Sequence, residues 1–234
     1  MEARAHLSRR SLLQRGAVGG AAAAVGALLS SCASPQTDSA APTSTAGPAP
    51  AREGTTTRPQ PSRTLVAFFS RPGENYYRGG RRNLQVGNTE VLARMISDLI
   101  DCDLYRIEAA DPYSDDYDAT VERNVREQNS DARPDIANPR DSISQYDTVL
   151  VGSPIWNARP PMIMTTFLER YDFTGKAIHP FVTFAVSGLG RTEAVYAPAL
   201  PGTRLPPGLA VRGEEVADHR AEVAAWLARA DLTS

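Results

Sequence analysis

The residues of this chain that could do chemistry fall in three short stretches, and their types suit binding better than acid–base work. The first is Ser70 to Gly87, SRPGENYYRGGRRNLQVG, which runs on into Asn88 and Thr89. The second is Ser153 to Ala158, SPIWNA, and the third Ser187 to Gly190, SGLG. Together they offer hydroxyls, amides, glycines and one large aromatic, Trp156. None pairs a nucleophile with a base. Beyond the first 31 residues the histidines are His179, early in an apolar run, and His219, on the polar face of a helix; both suit structural or solvated roles. No His, Cys or carboxylate cluster has metal-ligand spacing. Hydroxyls and free amides suit a phosphate and a loop aromatic suits a flat ring, so hard chemistry would come from a bound cofactor. Trp156 has a second reading of equal standing, as a core or domain-edge aromatic.

The elements that must position these stretches follow from the apolar runs. In Thr148 to Pro161, TVLVGSPIWNARPP, the unbroken Val149, Leu150 and Val151 predict a strand buried on both faces of a parallel sheet. Gly152 to Pro154 should stop its ladder and leave Ile155, Trp156, Asn157 and Ala158 on a loop at the carboxyl end, where open α/β sheets keep their ligands. Thr64 to Phe69, TLVAFF, is a second such strand. Asn88 to Ile100 reads as a helix with Asn88 as N-cap, so a strand leads through a Gly-rich loop to a helix N-terminus, which attracts phosphate. Asp103 to Glu108 predicts a strand nearer an edge, and Asp115 to Ser130 a polar helix with Val121 and Val125 facing in. Pro160 and Pro161 suit the first turn of a helix reaching about Arg170. Ile178 to Val186 is a further buried strand. A short helix, a last strand at Leu209 to Val211 and a closing helix at Val216 to Ala230 complete five strands alternating with five helices, an α/β pattern.

Upstream of this domain the chain has a different character. Residues 1 to 31 carry four Arg against one Glu, followed by an Ala/Gly/Val/Leu run from Gly16 to Leu29, the order of an export signal. Ser8 to Gln14, SRRSLLQ, resembles a twin-arginine signal, and Leu29 to Cys32, LSSC, resembles a bacterial lipoprotein cleavage box. The resemblance implies acylation of Cys32 and an exported protein held at the cell membrane, facing the periplasm or the cell exterior. Cys102 would then be the remaining thiol, a small apolar residue entering a strand. Residues 32 to 63 are rich in Pro, Ser and Thr and read as a disordered tether, with residues 64 to 234 as one folded domain. Removing residues 1 to 31 leaves a formal charge of −5, which argues against nucleic acid as a partner.

Four pieces of the folded domain resemble the flavodoxin family, in particular FMN domains with a lengthened first loop: FFSRPGEN (Phe68 to Asn75), VGNTE (Val86 to Glu90), YDTVLVGSPIWNARPP (Tyr146 to Pro161) and VSGLGRT (Val186 to Thr192). The resemblance implies a doubly wound five-stranded parallel sheet of order 2-1-3-4-5, helices on both faces and FMN at the switch point, for which flavodoxin is itself a standard example. It implies that Ser70, Asn88 and Thr89 hold the FMN phosphate with help from Gly73 and Asn75. Trp156 would stack on one face of the isoalloxazine, with Ile155, Asn157 and Ala158 along its edge, and Ser187, Gly188 and Gly190 would close the other side. Arg71, Gly87 and Pro154 complete the cofactor-binding set. Two departures stand out: the phosphate loop is split by Tyr76 to Val86, and the third loop lacks the aromatic that often covers the second flavin face.

The function this implies is electron transfer through FMN, as a carrier or as a reductase of a small acceptor such as a quinone, with a redox partner protein or that acceptor as the other party. The alternative is a flavodoxin-fold protein without FMN that recognises another ligand or partner protein. A hydrolase on a doubly wound sheet fails for want of a nucleophile and base. GLGRTE (Gly188 to Glu193) is a near miss to a dinucleotide fingerprint but follows a late strand and lacks the third glycine. Arg78, Arg81 and Arg82 read as a solvated loop or as a guide for an anionic partner.

Overall fold

The computed structural model describes residues 63–203 and 205–233. The segments read as export signal and tether, with Cys32, lie outside these residues, Arg63 apart. Seven strands and five α-helices are described: β1 Thr64–Phe69, β2 Gly73–Tyr77, β3 Gly80–Leu84, α1 Asn88–Ser97, β4 Asp103–Ile107, α2 Tyr117–Asn129, β5 Thr148–Pro154, α3 Met162–Arg170, β6 Ala177–Phe184, α4 Thr192–Tyr196, β7 Leu209–Arg212 and α5 Arg220–Arg229. Among these residues no helix is long and apolar enough to cross a membrane.

Five strands form one parallel sheet in the order β4-β1-β5-β6-β7, which is 2-1-3-4-5 when those five are counted along the chain. Period 2 splits β1 between two cores: Leu65, Ala67 and Phe69 face α3 residues Ile163, Met164 and Phe167, while Val66 and Phe68 face Leu92 and Ile96 of α1 and Val223 and Leu227 of α5. Both faces are therefore covered, which is why β1 and β5 carry apolar runs without alternation. The winding reverses between β1 and β5, and a crevice opens there at the carboxyl ends.

β5 does not stop at Gly152. It stays paired with β6 through Pro154, opposite Thr183. Gly152 is needed inside the ladder because a Cβ there would stand 2.1 Å from the Phe181 ring, and Pro154, lacking an N–H, is tolerated as the last residue.

Four further expectations are corrected. The stretch expected as a loop contains an antiparallel hairpin, β2 paired with β3 from Gly73↔Leu84 to Tyr77↔Gly80. Its turn has Arg78 at φ 47 and Gly79 at φ 85, the pair of positive values of a type I′ turn. The N-cap of α1 is Gly87, with extended backbone and no side-chain cap, and Asn88 is the first helical residue. In α2 the buried residues are Thr120, Asn124 and Glu127, while Val121 and Val125 are each 41% exposed. Val216 lies in a 3-10 segment, Gly213–Asp218, that is separated from α5 by His219.

Candidate functional site

A cleft of about 620 Å³ lies at the carboxyl end of the sheet and is lined from every element that meets the crevice. Its floor begins where β1 ends. A Cβ on Gly87 would come within 2.3 Å of Ser70 Oγ and 2.5 Å of the Arg71 carbonyl oxygen, so only glycine lets the helix entrance approach β1 this closely. Ser70 then caps α1 from outside the helix: its hydroxyl accepts from the Glu90 N–H at 3.1 Å. Among the described residues the Asn88 and Thr89 N–H groups have no acceptor, as expected of a first helical turn. Thr89, almost fully buried, shares a 2.7 Å hydrogen bond with the Thr183 hydroxyl of β6.

The charges around this corner are separated. Glu90 is buried but pairs with Arg94 and, at 3.2 Å, with Arg106, on the outer side of α1. Arg71 lines the cleft at 7% exposure. It donates to the Ser114 carbonyl at 2.8 Å and to the Glu74 carbonyl, and its Nε is buried with no partner among the described residues. Burial lowers its pKa, an effect opposed by Asp115 and Glu74, and it lines the same cleft as Asn88 and Thr89.

Trp156 combines both readings of the sequence. It lines the cleft and also packs edge-on against Phe69 at 5.6 Å and Tyr113 at 5.2 Å, as a partly buried member of the α3-side core. Tyr113 is held in turn: its hydroxyl donates to Glu127 at 2.7 Å, and the Arg123 guanidinium lies 4.0 Å over its ring. Burial, reinforced by Glu127, raises the Tyr113 pKa and keeps the hydroxyl protonated. The indole sits on a tight turn closed by Trp156 N–H to the Arg159 carbonyl at 2.9 Å and the return bond at 3.2 Å. Asn157 and Ala158 at its tip have φ 50 and 60, a conformation Asn tolerates and Ala adopts only under constraint. The constraint is visible: Asn157 donates to Gln128 at 2.8 Å, and the Ala158 carbonyl accepts from the Arg191 N–H at 2.8 Å.

α2 forms the adjoining wall with Tyr117, Thr120, Val121, Asn124 and Val125. Tyr76 of β2 and Val186 after β6 continue its apolar rim, and Val186 is 76% exposed. Four of the exposed large apolar residues thus border one opening. The arrangement can hold an anion at the α1 N-terminus, a flat ring beside Trp156 and an apolar group at the mouth. Among the described residues no group of three His, Cys, Asp or Glu is placed to hold a metal.

Of the residues singled out from sequence, Ser70, Arg71, Asn75, Asn88, Thr89, Pro154, Ile155, Trp156, Asn157, Ala158 and Ser187 line this cleft. Gly73, Gly87, Gly188 and Gly190 do not. Gly73 (φ 82) packs on Asp115, where a Cβ would be 2.8 Å from backbone, and Gly190 packs on the Ala158 carbonyl, 2.5 Å from a built Cβ. Their absent side chains let loops meet. Sequence reasoning missed Tyr117, Thr120 and Asn124 of α2, Thr183 of β6 and Glu214 after β7. Thr183 carried a usable signal, a hydroxyl near the end of a strand already read as adjoining the cleft.

The family model described as Flavodoxin matches residues 84–230, more than half of the chain. The chain belongs to the flavodoxin family. Among solved structures, a candidate flavoprotein from Bacteroides eggerthii DSM 20697 is 28% identical with TM-score 0.57, covering 72% of this chain and 97% of its own. A second candidate flavoprotein, from Bacteroides uniformis ATCC 8492, is 28% identical with TM-score 0.56, covering 71% and 98%. A flavoprotein in complex with FMN from Lactobacillus acidophilus NCFM is 19% identical with TM-score 0.49, covering 67% and 97%. No curated protein matches the chain.

Proposed function

We propose that this chain binds FMN in the cleft and transfers electrons through it, as a carrier or as the reductase of a small apolar acceptor such as a quinone. The observation that carries the reading is the convergence of two features on one cleft, the N–H groups of Asn88 and Thr89, which have no acceptor among the described residues, and the buttressed ring of Trp156. A phosphate dianion only accepts hydrogen bonds, and this corner supplies donors: two amides, the Asn88 side chain and the Thr89 hydroxyl, with the helix dipole and Arg71 adding positive charge. Thr183 can donate to Thr89 and so leave the Thr89 hydrogen free for the phosphate. The descriptions of the two Bacteroides proteins as flavoproteins support the same reading.

Bound FMN would supply the redox chemistry through its isoalloxazine ring. The chain's own part is to fix the phosphate at α1, to exclude water from one ring face with Trp156, and to leave an apolar mouth at Val121, Val125 and Val186. Such a mouth costs an uncharged acceptor little desolvation and disfavours a strongly hydrated one. Absorption spectra of the purified chain and mass analysis of any released cofactor test the assignment. A colourless protein that takes up no FMN would favour recognition of another ligand or partner.

The same proposal places the protein outside the cell membrane, on the motifs SRRSLLQ and LSSC. A tether from an acylated Cys32 raises the effective concentration of a domain near membrane acceptors. Arg9→Lys with Arg10→Lys should leave FMN-loaded precursor in the cytoplasm, and Cys32→Ser should release the domain from membranes without changing its flavin spectrum.

A further inference from the structure

We propose that the β2–β3 hairpin is a strap over the bound cofactor, with Tyr76 as its contact and Glu214 as its latch. This rests on the reading of the cleft as an FMN site. The hairpin is the segment that splits the phosphate loop, and it is secured on two sides. Its α2 side is held at several points: the Glu74 N–H donates to the Asp115 carbonyl at 2.7 Å, the Tyr117 N–H donates to Glu74 Oε2 at 3.3 Å, and Arg81, opposite Tyr76 one rung from the turn, bonds Asp118 at 2.6 and 2.9 Å. Its tip reaches the far side of the cleft, where the Arg78 N–H donates to Glu214 Oε1 at 2.9 Å. Asn75 and Tyr76 of β2 line the cleft, and so does Glu214.

The two sides are unlike. The α2 side is a network of several bonds, whereas the tip meets the far wall through one backbone hydrogen bond, helped by a 3.8 Å approach of Arg78 to Glu215. The other oxygen of the latch, Glu214 Oε2, is buried with no partner among the described residues, so closing the tip leaves one carboxylate oxygen uncompensated. This weakens the closed tip and leaves the α2 side untouched. The strap therefore opens at Glu214 and swings about the α2 side. Tyr76, an aromatic left 36% exposed on the cleft wall, gains its packing partner when FMN is bound. The aromatic missing from the third loop is thus supplied by the hairpin.

The test is FMN release from the loaded full-length chain into excess scavenging apoprotein, read beside hydrogen exchange of the Arg78 amide. Glu214→Ala should raise FMN release and uptake at least tenfold and speed Arg78 exchange, while Glu214→Gln, which keeps a carbonyl acceptor, should behave as the parent. Tyr76→Leu should speed release with Arg78 exchange unchanged, and Tyr76→Phe should restore the parent rate. Release at the parent rate in Glu214→Ala or in Tyr76→Leu, from a parent that binds FMN, overturns the strap and leaves the cofactor assignment standing. A parent that takes up no FMN overturns both.

Discussion

The hydroxyl of Thr89, in the first turn of α1, is hydrogen-bonded at 2.7 Å to that of Thr183, the penultimate residue of β6. The pair ties the proposed phosphate corner to the strand that carries the far wall of the cleft. Both hydroxyls are buried, so removing one strands the other, at a cost of about 1 to 3 kcal/mol. Thr89→Val should therefore lower stability and weaken FMN by about 1 to 3 kcal/mol, through a lost bond to a charged group. Thr183→Val should lower stability with a smaller effect on FMN. The double variant should recover much of the stability and none of the affinity, a pattern that denaturant melts and FMN titrations together can read.

Trp156 should be sensitive to shape as well as to size. Trp156→Phe retains an apolar ring but disturbs the edge contacts to Phe69 and Tyr113, each worth about 0.5 to 1.5 kcal/mol. It should lower stability by about that amount and shift the flavin potentials modestly. Trp156→Ala should weaken FMN more and shift the potentials further, since water then reaches that ring face. Redox titration of the two variants checks the order; equal potentials in parent and Trp156→Ala would remove Trp156 from the ring.

Val121 and Val125 give a prediction of opposite kind. Being exposed, they contribute little to folding, and Val121→Thr with Val125→Thr should change stability by no more than about 0.5 kcal/mol per site. If they wall the acceptor's approach, the same pair should raise KM for an apolar quinone severalfold and leave FMN affinity unchanged. Steady-state kinetics with an apolar and a water-soluble acceptor separate the effects.

His179 supplies a pH prediction. It is half-buried in β6 with its ring edge-on to Trp226 at 6.3 Å, and burial lowers its pKa below the ordinary 6.5. Above that ordinary value both folded and unfolded chains hold it neutral, and its contribution to stability is fully present. As pH falls below 6.5 the unfolded chain takes the proton first, so stability is lost toward the lower folded value. His179→Phe should flatten this part of the profile, which urea midpoints between about pH 7.5 and 5 would show.

Much of the architecture was already written in local patterns. The unbroken runs TLVAFF and TVLV specify strands covered on both faces, because no solvent-facing side could carry so many apolar residues. The order of strands and helices then fixes an α/β fold, and the loops after β1, β5 and β6 meet at the carboxyl edge because parallel strands all end on the same side. Eleven of the residues picked from those loops line the cleft for that reason.

What tertiary structure decided was every feature that depends on which distant surface an element meets. Helical periodicity offers α2 two faces, and Val121 and Val125 were the apolar choice. The structure instead buries Thr120, Asn124 and Glu127, because Glu127 meets Tyr113 and the next residue, Gln128, donates to the Trp156 carbonyl. The hairpin had no apolar alternation to announce it: it turns at Arg78-Gly79, and its outside contacts, Arg81 with Asp118 and the Arg78 N–H with Glu214, are made only after folding. Thr89 and Thr183, 94 residues apart, become partners for the same reason. A sequence encodes what each residue prefers over a few neighbours; the polar contacts that shape this cleft are between residues whose proximity is a product of sheet order.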